Sequence, residues 1–168
     1  MYRYKLGVAI FILLSLALLL ASACTEQSCP ELDGRAPSFS LSSLSGETAK
    51  LEDYRGKTVI LNFWQTTCVY CKLQMPLLQE ISDKYSSADV VVLAVNVGES
   101  AQRVQGYIDE TGYKFTFLLD ENRRSAQTYC IPALPFNVFI DKEGVIRNAK
   151  LGAFSSLAEI ENYLKSFN

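Results

Sequence analysis

Strand patterns and helix patterns alternate along this chain, and that alternation limits it to a sheet with helices laid against it. The runs Val59 to Phe63, Val90 to Val97, Phe115 to Leu119, Phe136 to Ile140 and Val145 to Leu151 are rich in β-branched and aromatic residues, as strands are. Stripes at helical spacing separate most of them: Leu73, Leu77, Ile81 and Tyr85, then Val104, Tyr107 and Ile108, then Leu157, Ile160, Leu164 and Phe167. This order predicts an α/β fold whose central sheet is covered on both faces. The link Asp141 to Gly144 is short enough that the last two strands must pair antiparallel, so the sheet is mixed. Ahead of the sheet, Phe39, Leu41 and Leu44 before Ser45-Gly46-Glu47, with Leu51 beyond, predict a β-hairpin.

The chemistry lies where the first long strand meets the first helix pattern, at Cys68-Val69-Tyr70-Cys71. Two thiols at that spacing on the first turn of a helix can close a small disulfide ring. The helix end offers unpaired N–H groups and about half a positive charge, which favours thiolate over thiol. A free cysteine titrates near pH 8.5, and such surroundings bring it to roughly 3.5 to 7.5. Cys68 is therefore the expected nucleophile and Cys71 its partner. Pro76 falls inside the same helix pattern and predicts a kink there.

The chain contains no histidine, which excludes Ser-His-Asp and Cys-His catalysis and zinc sites of the Cys/His kind. A c-type haem attachment would need histidine after Cys71, where Lys72 stands. Net charge is −2, falling to −4 once residues 1–23, with Arg3 and Lys5, are removed. No basic patch emerges, so nucleic acid is not an expected partner. Arg3 and Lys5 precede an uncharged stretch, Leu6 to Thr25, which reads as a targeting segment. It ends in Ala21-Ser22-Ala23-Cys24, similar to the lipobox of bacterial lipoproteins, so residues 1–23 are expected to be removed and Cys24 to carry lipid. An uncleaved anchor and a soluble secreted form are the alternatives, and all three place the domain outside the cytoplasm. Residues 24–33 then read as a tether and 34–168 as one domain, large enough to bury roughly two thirds of its unfolded surface.

Taken together, these residues resemble the thioredoxin superfamily, and within it the TlpA/ResA-like extracytoplasmic thiol-disulfide oxidoreductases. The resemblance spans Gly34 to Phe167. It is carried by Ala36-Pro37-Ser38-Phe39, Tyr54-Arg55-Gly56-Lys57, Asn62-Phe63-Trp64 leading to Cys68 and Cys71, Pro76, Asn96-Val97-Gly98-Glu99-Ser100, and Leu134-Pro135. It implies a thioredoxin-like fold with an added N-terminal hairpin and an inserted α/β unit. It also implies a cis proline at Pro135 facing the disulfide, with Leu134 beside it, and a membrane-tethered reductase of protein disulfides that uses Cys68–Cys71 and no bound cofactor. A membrane thiol-disulfide carrier would recharge it, and apocytochrome c is one expected client. Three positions depart from the family pattern. Gln74 stands where cytochrome-directed members have glutamate, Asn62 where cytoplasmic thioredoxins bury aspartate, and Thr67 where tryptophan is usual. Without those carboxylates, Glu99 becomes the candidate base for Cys71, with a solvated loop residue as the alternative. Thr67 is expected to cap the helix. Trp64 is expected to pack beside the site rather than touch the client.

Two rival activities share parts of this pattern. A peroxiredoxin-like peroxidase would need threonine three residues before Cys68, where Gln65 stands, and an arginine for the peroxide that cannot be assigned. A thiolate carrier of soft metal ions could use Cys68 and Cys71, although the absence of histidine weighs against it. Cys130 is read first as a small buried residue, with a third redox thiol or a bridge to Cys29 as alternatives.

Overall fold

The computed structural model of the chain describes residues 28–85 and 89–167. The expected targeting segment and Cys24 lie outside the described residues. The chain forms β1 (Ser40–Ser43), β2 (Thr48–Lys50), a 3-10 turn (Leu51–Tyr54), β3 (Thr58–Trp64), α1 (Val69–Lys84) and β4 (Val90–Val97). It continues through α2 (Ala101–Thr111), β5 (Thr116–Asp120), α3 (Arg124–Thr128), β6 (Phe136–Ile140), β7 (Ile146–Leu151) and α4 (Leu157–Lys165). A single seven-stranded sheet has the order β2-β1-β5-β4-β3-β6-β7. β3 runs parallel to β4 and antiparallel to β6, and β6 pairs antiparallel with β7, so the sheet is mixed as the short link required.

Every residue of β3 is buried, because the sheet is covered on both sides. Val59, Leu61 and Phe63 join one core with Leu93, Val95, Ala126, Tyr129 and the N-terminal residues Ala36 and Phe39. Ile60 and Trp64 point the other way, into a second core with Met75, Leu78 and Ile81 of α1, Val104 of α2 and Ile160 and Leu164 of α4. Alternation along one strand thus feeds two cores. The hairpin β1–β2 extends the sheet beside β5, and α2 with β5 supplies the added α/β unit. Gly112 ends α2 in the left-handed conformation, φ 72°, where its N–H reaches Ile108 O.

The buried stripe of α1 differs from the expected one. Cys71, Gln74, Met75, Leu78 and Ile81 are buried, whereas Leu73 is 62% exposed. Steps of four residues overshoot a turn of 3.6, so a run from Leu73 to Tyr85 drifts about 120° around the axis and leaves its first member outside. The helix runs unbroken through Pro76. The short α3 carries no stripe of its own; the Asp120 carboxylate, accepting from the N–H groups of Ser125 and Ala126, holds its start.

The N-terminal segment is also bound more tightly than a tether would be. Cys29 forms a disulfide with Cys130, Asp33 N donates to Ile146 O, and Arg147 pairs with the Asp33 carboxylate. Residues 29–33 therefore belong to the folded domain, which shortens the expected tether. Cys130 is bridged and half-buried, which replaces the reading of it as a buried apolar residue.

Phe139 is the centre of the α4 contact, fully buried and stacked 4.8 Å from Tyr163, with Phe154 6.0 Å away. Phe139→Ala should lower unfolding free energy by about 3 to 5 kcal/mol. A urea titration with unchanged slope and a lower midpoint is the expected record.

Candidate active site

β3 ends at Trp64, and the chain must then cross the sheet edge to begin α1. The crossing is fastened to the end of β4. Gln65 Nε2 donates to Val97 O at 2.7 Å, while Thr66 donates through both N and Oγ1 to the Glu99 carboxylate, each at 2.7 Å. Asn96 Nδ2 donates to the same carboxylate at 2.7 Å. Glu99 thus meets three donors. Burial pushes its carboxyl up, but the bonds from Asn96 and Thr66 and the nearby Arg103 charge outweigh it and hold it below the ordinary 4.5. A carboxylate so held is a weaker base than usual. Glu99 is a clamp on the loop, and the expected role in deprotonating Cys71 gains no support.

Cys68 itself caps α1, with extended backbone and its Sγ accepting from Cys71 N at 3.2 Å. Thr67, expected in that place, is exposed and makes no cap; the sulfur takes the acceptor role that a hydroxyl one residue earlier was expected to fill. The first turn of α1 contains no acidic residue, so nothing there opposes negative charge at the sulfur. Cys68 and Cys71 are joined as a disulfide with Cα atoms 5.2 Å apart. The two ends are unequal, since Cys71 is fully buried and Cys68 half-exposed. Around them stand Val69, Tyr70 and Leu73, each more than 60% exposed, an apolar rim rare for solvent alone.

The Leu134-Pro135 bond is cis, and Pro135 is buried. Phe63 pairs with Phe136, so Pro135 lies at the same sheet edge as Trp64 and the crossing to Cys68. Pro135 O accepts from Gly152 N at 2.9 Å, and half-buried Leu134 packs against both cores. Trp64 is fully buried, with its ring 5.3 Å from Tyr107 and 5.6 Å from Phe117, so it supports the site from within.

One turn beyond Cys71 lies a cluster that sequence reasoning only half found. Gln74, Asn62 and Asn137 are all fully buried. Asn62 Nδ2 donates to Asn137 Oδ1 at 2.8 Å, and Asn137 Nδ2 donates to Gln74 Oε1 at 3.2 Å and to Gly152 O at 3.3 Å. Gln74 Nε2 returns a bond to Asn137 Oδ1 at 3.4 Å, and Phe154 N donates to Gln74 Oε1 at 3.4 Å. Asn137 is the hub, and it ties the cysteine helix to the strand that begins after cis-Pro135. The signal that could have found it was an asparagine in the middle of an apolar strand.

A redox disulfide at the head of the helix that follows a central strand, on a sheet of this order, marks a thioredoxin-fold thiol-disulfide oxidoreductase. Residues 32–149 match the AhpC/TSA family, and the chain belongs to it. It is 34% identical over 167 residues to the thiol-disulfide oxidoreductase ResA of Geobacillus thermodenitrificans, covering 98% of this chain and 95% of that protein. Among solved structures it is similar to the pneumococcal exposed lipoprotein thioredoxin Etrx1 of Streptococcus pneumoniae, at TM-score 0.68 and 30% identity, covering 77% of this chain and 99% of that one. StoA of Bacillus subtilis shares the fold at TM-score 0.67 and 24% identity, over 76% of this chain and 96% of that one. Within this family the chain is a TlpA/ResA-like thiol-disulfide oxidoreductase. Gln65, where a peroxidase of this fold needs threonine, is bonded to Val97 instead.

The Glu99 clamp carries a pH signature. Because its folded pKa is depressed, its stabilisation is present above the unfolded value and is lost as pH falls through the folded one. Denaturation from about pH 6 down to about pH 3 should show a loss of stability that Glu99→Gln lacks over the same window.

Proposed function

We propose that the chain is a membrane-tethered reductase of protein disulfides outside the cytoplasm, with Cys68 as the attacking sulfur and Cys71 as the resolving one. The inequality of the pair supports this most directly: Cys68 is reachable at the helix cap and Cys71 is sealed beneath it. In the proposed cycle the Cys68 thiolate attacks a client disulfide, one client sulfur leaves as thiolate and takes a proton, and a mixed disulfide remains. Cys71 then attacks Cys68 Sγ, the second client sulfur leaves, and the enzyme is oxidised to the Cys68–Cys71 form. A membrane thiol-disulfide carrier returns two electrons, and the reaction uses no other redox group. The apolar rim of Val69, Tyr70 and Leu73 receives the residues flanking the client cysteine. The Leu134-Pro135 segment lies alongside an extended client strand.

Two features support the membrane tether. Cys24 closes a lipobox-like sequence, and the chain is similar to a protein described as an exposed lipoprotein. Apocytochrome c is the client class that the ResA-like resemblance suggests. Gln74, an amide where cytochrome-directed relatives have a carboxylate, argues for testing other clients beside it.

Cys68→Ser should reduce insulin disulfides no faster than free thiols do, and Cys71→Ser should accumulate a covalent enzyme–client adduct visible on non-reducing gels. Full activity in Cys68→Ser would sink the assignment. A measured potential well above that of glutathione would reverse the proposed direction, and rapid peroxide consumption would favour the peroxidase reading. For the anchor, intact mass should show a diacylated N-terminal Cys24. Cys24→Ala should leave the chain unprocessed or released, and an unmodified Cys24 in the mature wild type would refute lipidation.

A further inference from the structure

The second disulfide, Cys29–Cys130, takes no part in the chemistry already described. It closes a span of 101 residues and joins the first described segment to the loop that leads into Pro135. Its ends are unequal too: Cys29 is exposed and Cys130 half-buried. Cys130 lines a pocket of about 280 Å³ with Val97, Arg123, Ala126, Gln127 and Ile131. Arg123 is the one charged residue of that lining, and among the described residues it makes no ion pair. It packs against Gly98, where a Cβ would lie 2.3 Å from Arg123 Nε, so the bare glycine makes room for the guanidinium. Cys130 is held at φ 50°, a left-handed conformation that side chains with a Cβ rarely adopt.

We propose that Cys29–Cys130 is a second thiol-exchange site, opened by an external dithiol that attacks Cys29 and expels Cys130 as a thiolate beside Arg123. Exposure of Cys29 gives access, and a cation lining the same pocket as Cys130 favours the leaving thiolate. In the first step a thiolate of the dithiol bonds to Cys29 Sγ, the Cys29–Cys130 bond breaks, and its electron pair leaves on Cys130 Sγ. In the second step the other thiol of the reagent, deprotonated, attacks its partner sulfur and frees Cys29. The dithiol ends as a disulfide, and Cys29 and Cys130 have gained two electrons and, at equilibrium, two protons. The source is external because the neighbours of Cys130, Tyr129 and Ala126, belong to the core on one face of the sheet and Cys71 to the core on the other.

Opening this bridge moves the first fixed point of the chain from Cys29 to Asp33, which stays bonded to Ile146 and Arg147. Resting on the lipid-anchored reading, the greatest span from Cys24 to that fixed point then lengthens from about 18 Å to about 32 Å. The exchange site would set how far the domain reaches from its membrane.

The test uses the full chain carrying Cys68→Ser and Cys71→Ser, equilibrated in dithiothreitol or glutathione buffers of stepped potential, then alkylated and mapped by mass. The expected result is paired alkylation of Cys29 and Cys130 with circular dichroism unchanged, and glutathione adducts at Cys29 rather than Cys130. Arg123→Gln should slow opening about threefold to tenfold, the effect of roughly one unit in leaving-group pKa, while Arg123→Lys keeps most of the rate. In the otherwise wild-type chain neither Arg123 variant should alter Cys68/Cys71 exchange. A bridge that opens only as the chain unfolds, adducts at Cys130, or equal rates in both Arg123 variants would overturn the proposal. Because the active-site cysteines are absent, these readouts do not depend on whether the chain reduces insulin. On vesicles, energy transfer from Trp64, the single tryptophan, to a headgroup dye should fall on opening. Unchanged transfer in bound protein would overturn the tether role, and failure to bind vesicles would refute the lipid anchor and with it that role.

Discussion

Everything at the candidate site depends on how a fully buried strand is brought to an end. β3 has no exposed residue, so the chain leaves it at the sheet edge with no freedom to wander before α1 begins. The Glu99 carboxylate fixes the crossing by taking N–H and O–H from Thr66 and N–H from Asn96. Charge-assisted bonds of this kind are stronger than neutral ones and strict in geometry. The register of Cys68 follows from them, and so does its use as a cap. Because Cys68 Sγ accepts Cys71 N–H, the sulfur occupies the place where negative charge is most favoured at a helix start. A loop free to rotate by one residue would present Thr67 there and turn the cysteine away.

Beneath that turn the protein keeps its interior polar but uncharged. Asn62, Asn137 and Gln74 bond to one another, and Gly152 O and Phe154 N add a bond each, while Asn62 Oδ1 is left buried without a partner among the described residues. A carboxylate in the same volume would need a buried counter-charge or would take up a proton. The amides avoid both outcomes, and they couple α1 to β6 without adding a titrating group. In the proposed cycle, the proton of Cys71 then passes to water or to the departing client thiolate. Rigidity and proton supply, which one carboxylate can combine, are separated in this chain.

The strands were legible because buried β-branched runs have few other homes: the read and observed limits of β3, β4, β5, β6 and β7 agree within about a residue, the uncertainty of any such boundary. The cysteine pair was legible for a local reason, since both sulfurs sit on one helical turn. What escaped notice was set by distant partners. Asn137 bonds to residues 63 and 75 positions away, and only the folded sheet brings them together. Arg124 to Thr128 is helical because Asp120 accepts its first N–H groups, a tertiary cause acting on a weak local pattern. The pairing of Cys29 with Cys130 could be named as an option but not chosen, because no rule of spacing operates across 101 residues.

An enzyme that exchanges disulfides while carrying a second one of its own faces a conflict, and the sheet resolves it. Cys68–Cys71 bridges a single helical turn, so opening it leaves the surrounding backbone bonds, such as Lys72 N to Cys68 O, in place. Cys29–Cys130 closes a loop of the size for which chain entropy alone gives about 4.7 kcal/mol of stability, so opening it has a cost that the whole domain bears. Cys71 belongs to one core, whereas Tyr129 and Ala126, the neighbours of Cys130, belong to the other, with the buried strands β3 and β4 between them. Electrons held at Cys71 have no contact route through that layer, because thiol exchange requires sulfur to touch sulfur. The burial that makes β3 a rigid base for the reactive pair is therefore also what insulates the second bridge from it.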